Sequence, residues 1–207
     1  MRADVSFFNC LQETAKRGDA ESEFILGLVY SDGWNGTISA GSFADRWRDL
    51  GTELDDHRPT FLLQLLQRQK DRVAPDQVKA LQYLTQAADQ GDNYARVMLG
   101  EMLLEGTGVK SDWFSGSEWI RKSAVAGFAP AQFRLGVIYL VGNKSTPHDD
   151  IESLAWFIVA AEAGSKSAQD FCTERTQLLG NDAARQAFKR SRGILALTKA
   201  SRKMAGS

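Results

Sequence analysis

The chain has 207 residues, 43% of them hydrophobic and 25% charged, so it has enough apolar side chains for a core and is not intrinsically disordered. Lys and Arg number 25 against 26 Asp and Glu. This near-neutral balance argues against a dedicated binder of nucleic acid or of an anionic membrane.

The cysteine usage and the apolar stretches bear on the compartment. Cys10 and Cys172 lie near opposite ends of the sequence, which is incompatible with a disulfide framework and indicates a reducing environment. No apolar stretch approaches the roughly 20 residues that span a bilayer, and the first residues do not resemble a secretory signal. We therefore expect a cytoplasmic protein, or a periplasmic one if an export signal has been removed.

An internal repeat with a step of 36 or 37 residues runs through the sequence. Its anchor residues, mostly aromatic, are Cys10, Trp47, Tyr83, Trp119 and Trp156. In the clearest copies the anchor is followed by small residues and then a glycine: YLTQAADQG at 83–91, WIRKSAVAG at 119–127 and WFIVAAEAG at 156–164. A repeat of this length is typical of stacked helix pairs.

A second motif, a Leu-Gly pair preceded by a small residue, keeps the same step. It occurs as SEFILG at 22–27, ARVMLG at 95–100 and AQFRLG at 131–136. The copy expected at 59–64 has lost its glycine, and the repeat at 47–72 is therefore degenerate. We expect a longer, irregular helix there.

Both halves of the repeat have the pattern of helices. Apolar or small residues recur every three or four positions in 93–105, which predicts one helical face, and 80–88 has a broad apolar side. Asp76, Asp112 and Asp150 stand where helix N-termini are expected, and Gly91 stands at a helix end. No segment has the alternation of a strand. Small residues at fixed positions let paired helices approach closely, with an aromatic residue filling the remaining space.

These motifs resemble the Sel-one-like repeat, a relative of the tetratricopeptide repeat. The pattern is A-x₃-L-G-x₂-Y-x₂-G-x-G-V-x₂-D followed by A-x₂-W-x₃-A-A-x₂-G, and the match is best over 76–164. The resemblance implies an all-α, right-handed α/α superhelical solenoid of helix-turn-helix repeats. The predicted organisation is a single repeat domain, 1–207, with these segments: an N-terminal helix at 6–18, repeats at 20–55, 59–91 (degenerate), 92–127 and 128–164, and a last helix plus a basic capping helix at 165–204.

Few residues suggest catalysis, a metal or a cofactor, and we expect none of the three. His57 and His148 each adjoin an Asp pair but lack the spacing of three or four zinc ligands. Both cysteines occupy repeat positions and are predicted to pack in the core. GTGVK at 106–110 does not have the spacing of a phosphate-binding loop.

The resemblance to tetratricopeptide relatives implies a peptide-binding concave face lined by non-core positions of each first helix. Three aromatic residues of predicted loops, Trp34, Trp113 and Phe114, are further candidates, either exposed for a partner or packed on a neighbouring helix. The predicted partner-binding residues are Phe24, Leu28, Val97, Glu101, Leu104, Phe133, Val137, Leu140, Trp34 and Trp113. Part of this row is alternatively expected to pack under the extra helix at 59–72 or under the C-terminal helix.

The basic C-terminal stretch has two interpretations. It is either a capping helix with a polar outer face, with Ala184, Phe188 and Leu195 turned inward, or an anchor for an anionic surface. We favour the cap.

The sequence therefore predicts a non-catalytic protein-interaction module, a bacterial adaptor or scaffold with a protein or peptide partner. It is expected to be monomeric, without nucleic acid and without membrane insertion. By resemblance, the alternative is an immunity protein that neutralises a secreted antibacterial effector. The third hypothesis is a hydrolase that uses the cysteines or histidines. A turnover assay tests it, and no loss of activity on substituting both Cys and both His would exclude it.

Overall fold

The computed structural model describes residues 7–34, 42–53, 58–67 and 72–205. These residues form helices joined by turns, and the β-structure among them is one isolated bridge, between Trp34 and Val73. The helices are α1 (Phe7–Ala15), α2 (Ala20–Asp32), α3 (Phe43–Glu53), α4 (Arg58–Gln67), α5 (Gln77–Asp89), α6 (Asn93–Glu105), α7 (Trp113–Val125), α8 (Ala129–Val141), α9 (Asp150–Glu162), α10 (Lys166–Leu179) and α11 (Asn181–Ala205). The all-α prediction is confirmed.

Aspartates begin several of these helices. The side chain of Asp76 accepts a hydrogen bond from the backbone N–H of Lys79 (3.0 Å), and Asp112 accepts one from Ser115 (3.0 Å). Both satisfy amides that would otherwise lack a partner in the first turn. At α9 the cap is Asp149 rather than the predicted Asp150, which is the first helical residue.

The chain divides into two compact units, residues 1–111 and 112–207. In unit 1, α2 packs on α5, α1 packs on α2, and α5 packs on α6. In unit 2, α9 lies at the centre and contacts α8, α10 and α11, while α7 packs on α8 and α11. Eight consecutive residues of α9, 153–160, are buried.

The same backbone turn recurs along the chain. At each copy, a backbone N–H donates to the carbonyl five residues earlier: Asp19 to Thr14 (3.2 Å), Asp92 to Ala87 (3.1 Å), Phe128 to Ser123 (3.2 Å) and Ser165 to Ala160 (2.9 Å). The last three copies are 36 and 37 residues apart, which confirms the period there. The first two are 73 residues apart, which is the length of two repeats.

This double step arises because one repeat length is inserted between the two helices of the first pair. The N–H of Asp76 donates to the carbonyl of Tyr30 (2.8 Å), as Asp149 donates to Tyr139 (3.0 Å) in unit 2. The bridge between Trp34 and Val73 (N···O 2.6 and 2.8 Å) therefore closes off the insertion, residues 35–72.

The insertion changes the expected organisation of the first repeats. The predicted boundaries assign α2 to the repeat at 20–55 and α5 to the repeat at 59–91. In the structure these two helices pack on each other as one pair. Instead of one irregular helix over 47–72, the insertion contains two helices, α3 and α4, on either side of residues 54–57, which lie outside the described part.

Two glycines of the Leu-Gly motif permit the close approach of paired helices. A Cβ on Gly27 would lie 2.7 Å from Cγ of Leu84, and one on Gly136 would lie 2.7 Å from the ring of Phe157. The glycine of one helix thus receives a large side chain of the helix packed on it; the predicted aromatic is found at Gly136, as Phe157, whereas Gly27 receives the aliphatic Leu84.

The anchor residues differ in burial. Trp47 and Trp156 are buried, whereas Tyr83 and Trp119 are only half-buried. Cys10 is exposed, so its predicted core position is wrong. Cys10 lies on α1, the first helix described. Its place in the 36- or 37-residue spacing does not by itself mean that another helix packs over it.

The last helix covers α9 and α7 of unit 2, as a capping helix should. Its buried residues recur every three or four positions: Ala184, Ala187, Ser191, Ile194 and Thr198. The prediction that Phe188 turns inward is wrong, because Phe188 lies at the edge of this face and is 56% exposed.

Candidate partner-binding surface

The predicted row on the first helices of unit 1 is largely buried. We call Phe24, Leu28, Val97, Glu101 and Leu104 the unit-1 row. The first four are buried, at 5% exposure or less, and Leu104 is half-buried. Most of this row is therefore not on the surface of unit 1.

Helix α3 of the insertion covers part of the unit-1 row. The Trp47 ring packs edge-on against Phe24, with centroids 5.0 Å apart, and against Tyr94, at 6.3 Å. The sequence predicts that an extra helix could cover this row, but places that helix at 59–72. Among the side chains that the structure describes, the ring of the insertion that packs on this row is Trp47 of α3.

An ion pair fixes α3 beside Glu101. The Arg46 guanidinium donates to Glu101 (2.9 Å) and to Glu105 (2.8 Å). Burial disfavours the charged form of Arg46, but the hydrogen bonds and negative charges of Glu105 and Glu101 outweigh this effect and raise the pKa of Arg46. Because Glu101 is buried, Arg46 compensates a charge that would otherwise be costly.

The equivalent row in unit 2 is more accessible. We call Phe133, Val137 and Leu140 the unit-2 row; all three are half-buried residues of α8, spaced four and three positions apart. Phe133 packs against Phe157 and Phe171, at 5.3 Å between centroids in each case. One end of the row is therefore anchored in the core, and the apolar face continues along α8.

The two loop tryptophans lie in different surroundings. Trp34 is buried beside the insertion, where its backbone forms the bridge to Val73. Trp113 is not in a loop but is the first residue of α7, and it is half-buried. The exposed aromatic at this point is its neighbour Phe114, at 65% exposure.

The histidine and cysteine positions have local structural roles. His148 donates from Nδ1 to the carbonyl of Leu140 (2.6 Å), and its Nε2 lies 3.2 Å from Asp150; these two contacts, in that order, raise the pKa of His148. Burial raises the pKa of Cys172 to about 11, which keeps its thiol protonated and weakly nucleophilic. His57 lies outside the described residues.

Neither a cluster of metal ligands nor a membrane-spanning helix is present among the described residues. No group of three or more His, Cys, Asp or Glu side chains is placed to hold a metal ion there. None of the helices in that part combines the length and the apolar character needed to cross a membrane.

The basic residues of α11 form the second surface candidate. Its outward side carries Arg185, Lys189, Arg192, Lys199 and Lys203, all exposed. The basic composition of this segment was recognised from the sequence, but the arrangement of its cations on one side of the helix was not. The sequence signal for this arrangement is the spacing of four, three, seven and four residues, which places all five on one side of a helix.

Comparison with known proteins agrees with this repeat architecture. The Sel1 repeat model matches residues 64–92, 93–124 and 129–165. A Sel1 repeat protein from Oxalobacter formigenes has a similar structure, with a TM-score of 0.53 and 24% identity over 80% of this chain and 96% of the other. A protective antigen of uropathogenic Escherichia coli with an SLR fold has a TM-score of 0.57 and 22% identity. That match covers 95% of this chain but 42% of the antigen. A search of curated proteins found no match.

The fold class defined by these observations is the all-α helical repeat solenoid. The segment matched by the family model, within residues 64–165, consists of three Sel1 repeats. Sel1 repeats commonly mediate protein–protein interactions, and the family is generally non-catalytic.

Proposed function

We propose that this protein is a non-catalytic interaction module that binds a helical segment of a partner protein on the unit-2 row. The observation that carries the proposal is the occupation of the unit-1 row by the protein's own helix α3. Position 97 lies two repeat lengths after position 24, and position 133 lies one further repeat length on, so the two rows are equivalent surfaces of the repeat. One of them receives a helix, and the other is half-exposed.

The contacts of α3 indicate what the partner should present. In unit 1 an aromatic ring, Trp47, packs on Phe24, and a cation, Arg46, pairs with Glu101. In unit 2, Val137 stands at the position of Glu101. A helix bound there therefore needs an aromatic or aliphatic anchor but no cation opposite Val137. Recognition of an amphipathic helix by an apolar groove is a common mode of peptide binding.

The remaining predicted binding residues have weaker support. Phe24, Leu28, Val97, Glu101 and Trp34 are buried in unit 1 and would bind a partner only after a rearrangement that exposes them. Leu104 and Trp113 are half-buried, and we retain them as peripheral candidates. The adaptor and immunity roles both require a bound protein, so the identity of the partner would distinguish them. The cytoplasmic compartment belongs to the same proposal.

The test is selection of peptides from a random display library on the intact protein. Binding of a selected peptide is then measured by fluorescence anisotropy for wild type, Val137→Glu and Val78→Glu. The Val78 variant is the matched control, because Val78 is 64% exposed on α5 in unit 1. A carboxylate placed in an apolar contact loses its hydration, so we expect Val137→Glu to weaken binding about tenfold or more.

Two results would contradict the proposal: selected peptides that bind Val137→Glu as tightly as wild type, or no peptide selected at all. Circular dichroism and a urea midpoint establish that each variant folds. If Val137→Glu is unfolded, Leu140→Gln replaces it, because this change introduces polarity without a charge.

A further inference from the structure

We propose that the outward side of α11 is a second binding surface, specific for an acidic protein segment that carries an apolar residue. The surface is the α11 basic stripe, defined as Arg185, Lys189, Arg192, Lys199 and Lys203. It lies on another helix than the unit-2 row, and the proposal does not depend on the function proposed above.

The helical geometry gathers these five cations into one line. At about 100° per residue, their positions fall within about 40° of a common direction, and they extend over about 27 Å of helix at ~1.5 Å per residue. The buried residues of α11, such as Ala187, Ile194 and Thr198, lie on the opposite side. The stripe therefore faces away from the rest of unit 2.

The other two arginines of α11 have internal partners. Arg190 pairs with Glu152 of α9 (2.5 Å), and Arg202 donates to the carbonyl groups of Ala126 (3.3 Å) and Gly127 (2.5 Å) at the end of α7. These contacts attach α11 to its neighbours. They lie at the edges of the buried side and are not part of the stripe.

The stripe cations have no comparable role. Within the described residues, Lys189, Arg192, Lys199 and Lys203 have no ion pair, and Arg185 has only a loose one with Asp182 at 3.8 Å. A capping helix needs a polar outer face but not one of a single sign. Asp182 is the one acidic residue among the 25 residues of α11. A row of five like charges repels itself, and an acidic ligand would relieve that repulsion.

The flanks of the stripe favour a protein segment over a polyanion. A groove on one side is lined by Glu162 and Phe188 together with stripe residues, and a groove on the other side by Asp149 and Glu152. Glu152 is paired with Arg190, so the flanking negative charge comes mainly from the carboxylates of Glu162 on one side and Asp149 on the other. They would oppose the broad contact that duplex nucleic acid or a membrane makes with a basic protein.

Phe188 supplies the apolar part of the recognition. It is 56% exposed and lies in the groove between Arg185, Lys189 and Arg192. An exposed aromatic among cations is suited to an apolar side chain that is flanked by carboxylates. The inferred ligand is thus an acidic helix or extended segment with a Leu-like residue facing Phe188.

The experiment is a titration of the intact protein with a fluorescein-labelled acidic peptide that carries glutamates at helical i, i+4 and i+7 positions and one leucine. Lys189→Glu/Arg192→Glu is compared with Lys144→Glu/Lys166→Glu. The second pair changes the net charge equally, at exposed positions of unit 2 outside α11. We expect binding to weaken about tenfold or more in the stripe variant and little in the control, because only close charges interact strongly in salt.

A second comparison tests the apolar contact. Replacing the peptide leucine by alanine should weaken binding to wild type but not to Phe188→Ala, since the two changes remove the same contact. Single-stranded DNA and phosphatidylserine vesicles are titrated in parallel.

The proposal is overturned by any of three results: equal loss in both charge-reversal variants, no measurable peptide binding, or tighter stripe-dependent binding of DNA or vesicles than of the peptide. Circular dichroism of each variant confirms that it is folded. Because all stripe residues are exposed, no loss of structure is expected.

Discussion

Substitution of Gly136 by alanine should destabilise the protein, although alanine is the better helix former. A Cβ at this position would lie 2.7 Å from two ring atoms of Phe157, a separation at which something must move. Phe157 is fully buried and has Phe133 and Phe171 on it, each with ring centroids 5.3 Å away, so its ring has little freedom to shift.

The magnitude follows from two opposing terms. Overpacking a well-packed core costs about 1–3 kcal/mol, and replacing a helical glycine by alanine gains about 1 kcal/mol. We therefore expect Gly136→Ala to lower the free energy of unfolding by about 1 kcal/mol. Gly136→Leu should lower it further, because the extra atoms have no space.

Gly193 is the matched control for this substitution. It is also helical, but a Cβ there would meet no atom within 4 Å, so Gly193→Ala should stabilise the protein by about 0.5–1 kcal/mol. The assay is urea unfolding followed by circular dichroism, with equal denaturant slopes as the condition for comparison. Equal stabilisation by both substitutions would refute the close contact between α8 and α9.

Three further predictions follow from burial and charge. Trp156→Ala should cost about 3–5 kcal/mol in urea unfolding, and Trp119→Ala clearly less, because the first ring is buried and the second half-exposed; equal costs would contradict the burial pattern. Arg46→Ala should cost about 1–3 kcal/mol, since it leaves a buried carboxylate without its cation, whereas an unchanged urea midpoint would argue against the ion pair. Because the pKa of His148 is raised in the folded protein, its contacts should stabilise the fold fully below about pH 6.5, and this contribution should be lost as the pH rises through the folded-state pKa. His148→Gln should lack this pH dependence, and an NMR titration measures the pKa directly.

The local features of the fold were predictable from the sequence. Helix α6 was expected at 93–105 and is found at Asn93–Glu105. The spacing of its apolar residues by three and four positions is a local property of the segment, so it can be recognised without knowing the tertiary structure. Asp76 and Asp112 were expected as caps for the same reason, since a cap depends on residues two or three positions away.

The partner of each helix was less predictable. The anchor at Trp47 preserves the sequence period, yet α2 packs on α5 and the intervening repeat length forms an insertion. The sequence period predicts where helices begin and end but not which helices pack together. The packing partner depends on contacts between residues that are distant in sequence. One such contact is Gly27 against Leu84.

The candidate binding surface was predictable only in part. The unit-2 row lies half-exposed on α8, whereas most of the unit-1 row is buried, partly by Trp47 and Arg46 of the insertion. The equivalent positions of the two rows are mostly apolar in both units, with Glu101 the exception. What covers one of them is a helix whose placement the sequence did not reveal.

The most direct test of the unit-2 row as a binding surface is an NMR map of the methyl groups of the intact protein, recorded while a peptide selected by display is added. We expect the largest shifts at Val137 and Leu140, and no shift at the exposed methyl groups of Val78. Shifts confined to residues away from α8 would contradict the assignment of the unit-2 row as the binding surface.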